Sequence, residues 1–323
     1  MELVSVDIGG THARFSIATV HDDGAITLDE PETIHTQDHA SFQTAWEDYR
    51  TRKGGSLPPR VAMAIAGPVG GEVIRFTNNP WIIRPALVKE KLGVDSYCIV
   101  NDFEAVAHAV ACVDDDQFIH LTGPEKPLAP TGRLSILGPG TGLGVAHLYR
   151  EPDGAYLVSA TEGGHIDFAP LDQIDDALLA RLRKRHNRVS VERVVSGPAI
   201  VDIYQTLAAL EGKAVKDEDD IEIWTRGQDG SESLAAAAVD RFCMSLGSAA
   251  GDYALSQGGF GGVVIAGGLG YRIRETLVRS GFAERFKAKG RFQELMASIP
   301  VKLITHPQPG LFGAAAAYAR ENT

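Results

Sequence analysis

Three cysteines, Cys98, Cys112 and Cys243, are all that the 323 residues contain. They form no C-x-x-C pair and are odd in number, so a disulfide framework and a structural cysteine zinc site are excluded, and the three read as reduced packing residues. Basic runs are equally scarce. None is longer than Arg183-Lys184-Arg185, and 31 basic against 42 acidic side chains leave a formal net charge of −11 with a pI near 5.4. That balance gives no electrostatic footprint for a nucleic-acid backbone, so no DNA or RNA partner is expected. No apolar stretch approaches the ~18 residues of a membrane span, and Met1-Glu2-Leu3-Val4-Ser5-Val6-Asp7 lacks the basic-then-apolar plan of a secretory signal. The expectation is a cytoplasmic protein without a membrane partner. Two nucleotide signatures are also missing. The lone Gly212-Lys213 is followed by Ala214 and has no upstream glycine, so there is no Walker lysine; in Gly138 to Gly144 a G-x-G-x-x-G is not in frame, and the next segment looks like a strand.

What is abundant is glycine, 35 of 323 residues, about 11% against a usual ~7%. The excess falls in short clusters after apolar β-branched runs, at Gly9-Gly10, Gly138 to Gly144 and Gly267-Gly268. Leu3 to Asp7 reads as a strand, Ile8-Gly9-Gly10-Thr11 as a turn and Ala13 to Val20 as the returning strand. Leu134 to Leu137, the turn through Gly140-Thr141-Gly142 and Val145 to Tyr149 repeat that plan, with Thr11 and Thr141 130 positions apart. The echo, with strands alternating with helices, argues for a duplicated α/β core. Ser41 caps a helix that stops at Lys53-Gly54-Gly55, Pro85 to Leu92 is a short helix ending at Gly93, and Tyr97 to Val100 is a buried strand running into Asn101-Asp102 and a helix to about Cys112. The acidic, Pro/Gly-rich stretch from Asp114 to Gly132 marks a boundary zone, and Gly261 to Gly270 is a buried strand with a glycine turn.

Each candidate for chemistry has a plainer reading. Asp7-Ile8-Gly9-Gly10-Thr11 is either a tight hairpin turn or a cradle whose converging N–H groups and one hydroxyl hold a phosphate, with Asp7 placed to hold Mg²⁺ or its water. Asp102 is either the N-cap of its helix or a carboxylate kept ionised by the helix dipole, able to accept a hydroxyl proton. Glu162-Gly163-Gly164-His165 aims two hydrogen-bonding groups at one small polar ligand; a metal reading of His165 with Asp167 lacks a third ligand. His35 and His39 have H-x-x-x-H spacing but are expected to face solvent. Glu192-Arg193, ahead of Ser196-Gly197-Pro198, has the pattern of a helix-end ion pair, and Asn78-Asn79-Pro80-Trp81 that of an Asx-type turn.

Taken together, Asp7 to Thr11, Asn101-Asp102-Phe103, Gly140 to Ala146, Glu162 to His165, Ala266-Gly267-Gly268 and Leu311-Phe312-Gly313 stand in an order and spacing that resemble the bacterial ATP-dependent glucokinase family over nearly the whole chain. The resemblance implies the actin-like ATPase, ribonuclease H-like sugar kinase fold: two α/β domains around a central cleft, the smaller from residues 1–112 plus 306–323 and the larger from 113–305. It further implies that Val6, Asp7, Ile8, Gly9, Gly10 and Thr11, with Gly140, Thr141 and Gly142, hold ATP phosphates, and that Gly267 and Gly268 border the adenosine. Asp102 corresponds to the base that takes the proton of the sugar 6-hydroxyl. Asn101, Glu162, His165 and Glu192 correspond to hexose ligands, and Asn78 lies in the segment lining the same pocket. A related group carries a cysteine-rich zinc motif; its lack here points to the zinc-free branch, with glucose, ATP and Mg²⁺ as ligands and a homodimer as the implied assembly. A kinase of another hexose, a sugar-responsive regulator and a non-catalytic sugar-binding scaffold are the rival readings. The regulator would need a DNA-binding segment ahead of the first turn.

Overall fold

The computed structural model describes residues 1–76, 79–216 and 218–322. It divides into two compact units, Met1–Val113 with His306–Thr323, and Asp114–Thr305. In the first unit β1 (Glu2–Ile8) and β2 (His12–Val20) form an antiparallel hairpin, with β3 (Ile26–Leu28) and β4 (Glu32–His35) both antiparallel to β2. The helix α1 (Phe42–Arg52) begins at Ser41, whose side chain accepts from the Thr44 amide in a capping box. β5 (Arg60–Ile65) then lies parallel to β1. After the small ladder of β6 (Ile74–Arg75) and β7 (Ile82–Ile83) comes α2 (Val88–Leu92), ended by Gly93 at φ +67°. β8 (Ser96–Asn101) pairs parallel to β5 and leads directly into α3 (Asp102–Cys112).

The second unit opens with β9 (Phe118–Thr122), so the stretch read as a boundary zone contains a strand; it pairs with the last strand of the unit, a partner far away in sequence. β10 (Gly132–Pro139), β11 (Leu143–Arg150) and β12 (Tyr156–Thr161) form an antiparallel meander. Four helices follow: α4 (Gln173–Arg183), α5 (Ala199–Leu210), α6 (Asp220–Asp229) and the long α7 (Ser233–Gln257). β13 (Gly262–Ile265) is parallel to β10; α8 (Gly267–Arg272), α9 (Arg274–Arg279), α10 (Phe282–Lys287) and α11 (Gln293–Ala297) precede β14 (Val301–Ile304), parallel to β13. Gly267 and Gly268 therefore open a helix instead of forming only a turn, with Gly267 at φ +85° against the Pro139 carbonyl. The two sheets share a motif: a hairpin whose first strand is flanked by a parallel strand, β1–β2 with β5 and β10–β11 with β13. The chain ends in α12 (Pro309–Glu321), which returns to the first unit.

Alternation along β1 decides which side chains reach the site. Val4, Val6 and Ile8 face an apolar layer with Phe15, Phe42, Trp46 and Trp81, whereas Leu3 joins the opposite layer with Ala314, Ala315 and Tyr318 of α12. Ser5 and Asp7 share the Leu3 face. The Ser5 hydroxyl donates to the Leu311 carbonyl at 2.6 Å, and the space beside Gly310 is taken by the Asp7 carboxylate. α12 lies so close to α3 that a methyl group on Gly313 would overlap the Ala105 carbonyl. Small residues thus bring the last helix against both the end of β1 and the helix that begins at Asp102.

Candidate active site

The parallel strands β1, β5 and β8 end in one row, with Ile8 beside Ile65 and Ile65 beside Asn101. The carboxyl ends of parallel strands are where open α/β sheets place ligand-contacting groups. Beyond Ile8 the turn reverses, the Gly9 amide donating to the His12 carbonyl at 2.9 Å. Val6 and Ile8 are fully buried and fix the strand, while Thr11 is exposed. Asp7 is half-buried and accepts from Arg14 Nη1 at 3.3 Å. Burial pushes its carboxyl above the usual range, and the Arg14 guanidinium opposes that shift.

At the end of β8 the cap is Asn101. Its Oδ1 accepts from the Phe103 and Glu104 amides at 2.9 and 3.2 Å, the Glu104 carboxylate accepts from the Asn101 amide at 3.3 Å, and Asn101 Nδ2 donates to the Gly67 carbonyl at 3.2 Å. The N-cap reading of Asp102 gives way, because the preceding residue fills that role. Asp102 is the first residue of α3, half-buried, its Oδ1 accepting from the Phe103 amide at 2.9 Å. Asn78 lies outside the described residues. His35 is an exposed strand residue whose ring lies 4.6 Å from that of His12 at a tilted 50°, whereas His39, expected in solvent, is mostly buried with Nε2 at 3.5 Å from Asp48. The H-x-x-x-H pair does not share a helix face.

The second unit assembles the remaining candidates around β10–β11. Gly140 donates to the Gly142 carbonyl at 2.8 Å and accepts from the Gly197 amide at 2.7 Å; Thr141 is exposed at the tip. Glu192, in a 3-10 turn (Val191–Arg193), accepts from the Leu143 amide at 2.9 Å and lies where a side chain at Gly142 would point. Its carboxylate thus belongs to the glycine turn and not to a helix-end ion pair with Arg193. A second 3-10 turn, Gly163–His165, lies on β11: a Cβ on Gly164 would overlap the Leu143 carbonyl, and one on Gly163 would approach Val145 Cβ to 2.9 Å. Tyr253 holds the turn by donating to the Gly163 carbonyl at 2.8 Å. This packing leaves the Glu162 and His165 side chains exposed, 3.8 Å apart, while Asp167 pairs with Arg188. The two 3-10 turns are linked by the Val191 amide donating to the Ile166 carbonyl at 2.9 Å.

A groove of about 340 Å³ in the second unit is lined by Gly140, Thr141, Gly197, Pro198, Asp220, Gly268, Leu269 and Arg272, within the size range of small-molecule sites. It joins the second glycine turn to the start of α8. Gly197, Pro198, Asp220 and Arg272 were not among the sequence candidates; the Gly197-Pro198 pair was the one signal near them. Trp224 supports the groove, its indole N–H donating to the Gly197 carbonyl at 3.0 Å with the Arg272 guanidinium over its ring. A cavity of about 210 Å³ in the first unit, between α1 and α2, contains none of the candidate residues. Among the described residues no group of three His, Cys, Asp or Glu side chains could hold a metal ion, and no helix is long and apolar enough to cross a membrane.

Three comparisons bear on these features. A family model described as Glucokinase matches residues 4–321. A glucokinase of Zymomonas mobilis is 56% identical over 321 residues, covering 99% of this chain and 98% of the relative. Among solved structures, a glucokinase from an Antarctic psychrotroph is 34% identical with a TM-score of 0.86, covering 100% of this chain and 99% of that one. A ROK family glucokinase from Streptomyces griseus, solved in complex with glucose and AMPPNP, shares the fold at 18% identity and a TM-score of 0.65, covering 99% of this chain and 100% of that one.

Proposed function

This chain belongs to the glucokinase family, and from that premise we propose that Asp102 is the base through which it passes the γ-phosphoryl group of ATP to the 6-hydroxyl of glucose. It is an ATP-dependent sugar kinase of the actin-like fold. The observation that carries the residue assignment is the row formed by β1, β5 and β8. It sets Asp102 two strands away from the Gly9-Gly10-Thr11 turn, roughly 10 Å at the usual strand spacing. That separation suits a phosphate held at one strand end and a hydroxyl met at the other.

Phosphoryl transfer asks the protein chiefly for positioning and for neutralising charge. The amides of the Gly9–Thr11 and Gly140–Gly142 turns and the Thr11 and Thr141 hydroxyls are suited to hold the phosphates, and the groove at Gly268 to hold the adenosine. Asp102, at the start of a helix whose dipole favours a carboxylate there, is placed to take the proton of the sugar hydroxyl as its oxygen bonds to phosphorus and ADP leaves. Glu162, His165 and Glu192, with Asn78 and the remaining Nδ2 hydrogen of Asn101, are the groups assigned to the other sugar hydroxyls. A sugar that covers these groups on binding but lacks one of the hydroxyls leaves its partner unpaired, at about 1–3 kcal/mol. Asp7 fits Mg²⁺ held through water: its carboxyl is raised by burial, so a nearby cation favours its ionised form, and Mg²⁺ commonly takes one carboxylate with waters and substrate phosphates. When bound, Mg²⁺ neutralises charge on the phosphates. The family resemblance also supports a cytoplasmic homodimer.

A panel of hexoses in a coupled ADP-release assay, with ATP as donor, tests the substrate. Glucose is expected to give the highest kcat/KM; a marked preference for mannose, fructose or an amino sugar would replace it with that hexose.

A further inference from the structure

The first glycine turn is held from behind at every carbonyl. Ile8 O accepts from the Ala66 amide at 3.1 Å, Gly9 O from Asn79 Nδ2 at 3.3 Å, Gly10 O from the Thr36 hydroxyl at 2.9 Å and Thr11 O from the Thr36 amide at 3.0 Å. Among the described residues the Gly10 and Thr11 amides have no protein acceptor. The Gly10 N–H lies opposite the Gly9 carbonyl and the Thr11 N–H opposite the Gly10 carbonyl of the same planar peptides, so each of these two donors points away from the Asn79 or Thr36 group that holds its carbonyl. Thr36 and Asn79 are both buried, at 3% and 6% exposure, so neither side chain serves water. The orientation of the Asn79 amide is fixed by its own network: the Trp81 amide donates to Oδ1 at 2.9 Å, which turns Nδ2 toward Gly9. Trp81 is itself held by its indole N–H, which donates to the His39 carbonyl at 2.8 Å.

We propose that Thr36 and Asn79 are positioning residues for the phosphoryl donor: they orient the Gly9-Gly10-Thr11 turn so that its amides face the ATP phosphates, without touching the nucleotide themselves. This rests on the reading of that turn as a phosphate cradle. In the absence of either donor a carbonyl swings free, and the turn samples conformers in which a C=O faces the phosphate. Binding of ATP then carries the cost of reorienting the peptide, while the sugar groups of the second unit are untouched.

The test is steady-state kinetics of Thr36→Val, Thr36→Ser and Asn79→Ala beside Thr11→Val, with melting curves to establish folding. Thr36→Val and Asn79→Ala are expected to raise KM for ATP about threefold to tenfold, the effect of one lost hydrogen bond, with KM for glucose within about twofold. Thr36→Ser, which keeps the hydroxyl, should restore the ATP value. Should Thr36→Val not fold, Asn79→Ala decides; should both fail, hydrogen exchange of wild-type Gly10 and Thr11 decides, rapid exchange slowed by MgATP being expected and slow exchange in free enzyme being contradictory. An unchanged ATP KM in folded Thr36→Val and Asn79→Ala, or an equal rise in both KM values, overturns the proposal. If Thr11→Val raises KM for ATP in that case, the phosphate reading survives and only the positioning role is lost. If Thr11→Val is also without effect and MgATP protects neither amide, the phosphate reading itself fails.

Discussion

The two glycine hairpins have nearly the same local sequence plan and are secured in different ways. At Gly9-Gly10-Thr11 the anchors are side-chain and backbone donors on distant segments, Thr36 and Asn79, reaching turn carbonyls. At Gly140-Thr141-Gly142 the anchors are the Gly197 amide, the Glu192 carboxylate on the Leu143 amide, and close contact between backbones at Gly163-Gly164 and β11. The first turn depends on polar side chains that reach its carbonyls, the second on a carboxylate and an amide together with the absence of side chains at its glycines. Equivalent hairpins can therefore fail for different reasons.

The largest expected difference is steric. In Gly164→Ala the new methyl group meets the Leu143 carbonyl, which belongs to a strand and cannot step aside, whereas in Gly9→Ala the nearest atom is the His12 carbonyl at an ordinary 3.5 Å. Overpacking of this kind costs about 1–3 kcal/mol, so Gly164→Ala should lower Tm by about 2–12 °C and Gly9→Ala by about 1 °C. Scanning fluorimetry showing equal losses would break the distinction.

A smaller effect separates the ways the two units bury titratable groups. In the first unit α3 buries His108, whose pKa burial, and next the Arg320 charge, pushes down to about 4. In the second unit burial alone would raise Asp172, but hydrogen bonds from Arg241 and the Asp175 amide, with the charges of Arg241 and Arg285, bring it below the usual carboxylate range. The signs follow from proton linkage. The unfolded chain binds a proton at His108 below pH ~6.5 and the folded chain only near 4, so this contribution is lost as pH falls between those values. The Asp172 contribution persists until pH falls below its ordinary range. Asp7 and Glu104, both raised by burial, act in the opposite sense to His108. The informative quantity is therefore a difference: on going from pH 7 to pH 5, His108→Gln should lose about 2 kcal/mol less stability than wild type. Equal losses in urea titrations at the two pH values would remove His108 from the account.

Much of this was legible locally. Ser41, Lys53-Gly54-Gly55 and Gly93 bound helices as their residue types dictate, and the Gly-Thr repeat appears as a repeated hairpin with a parallel neighbour. The anchors of the first turn were not legible, because Thr36 and Asn79 lie 26 and 70 positions from the groups they hold; the Asx-type turn marks Asn79, whose Oδ1 accepts from the Trp81 amide, but not the carbonyl that its Nδ2 reaches. The same reason hid β9, whose partner is β14, and Asp220 and Arg272, which join the groove through tertiary packing. The Asn101-Asp102 pair was read correctly as a strand-to-helix junction, but which of the two residues caps the helix depends on where the strand ends, a matter of one residue that pattern alone does not decide.

The assignment of Asp102 as proton acceptor is tested most directly by single-turnover and steady-state phosphorylation of glucose by Asp102→Asn. The substitution keeps an oxygen available to the Phe103 amide and removes the basic carboxylate. A fall in kcat of at least ~100-fold, the usual size of a general-base contribution, with the melting temperature preserved, is the predicted result; phosphorylation at close to the wild-type rate would contradict it.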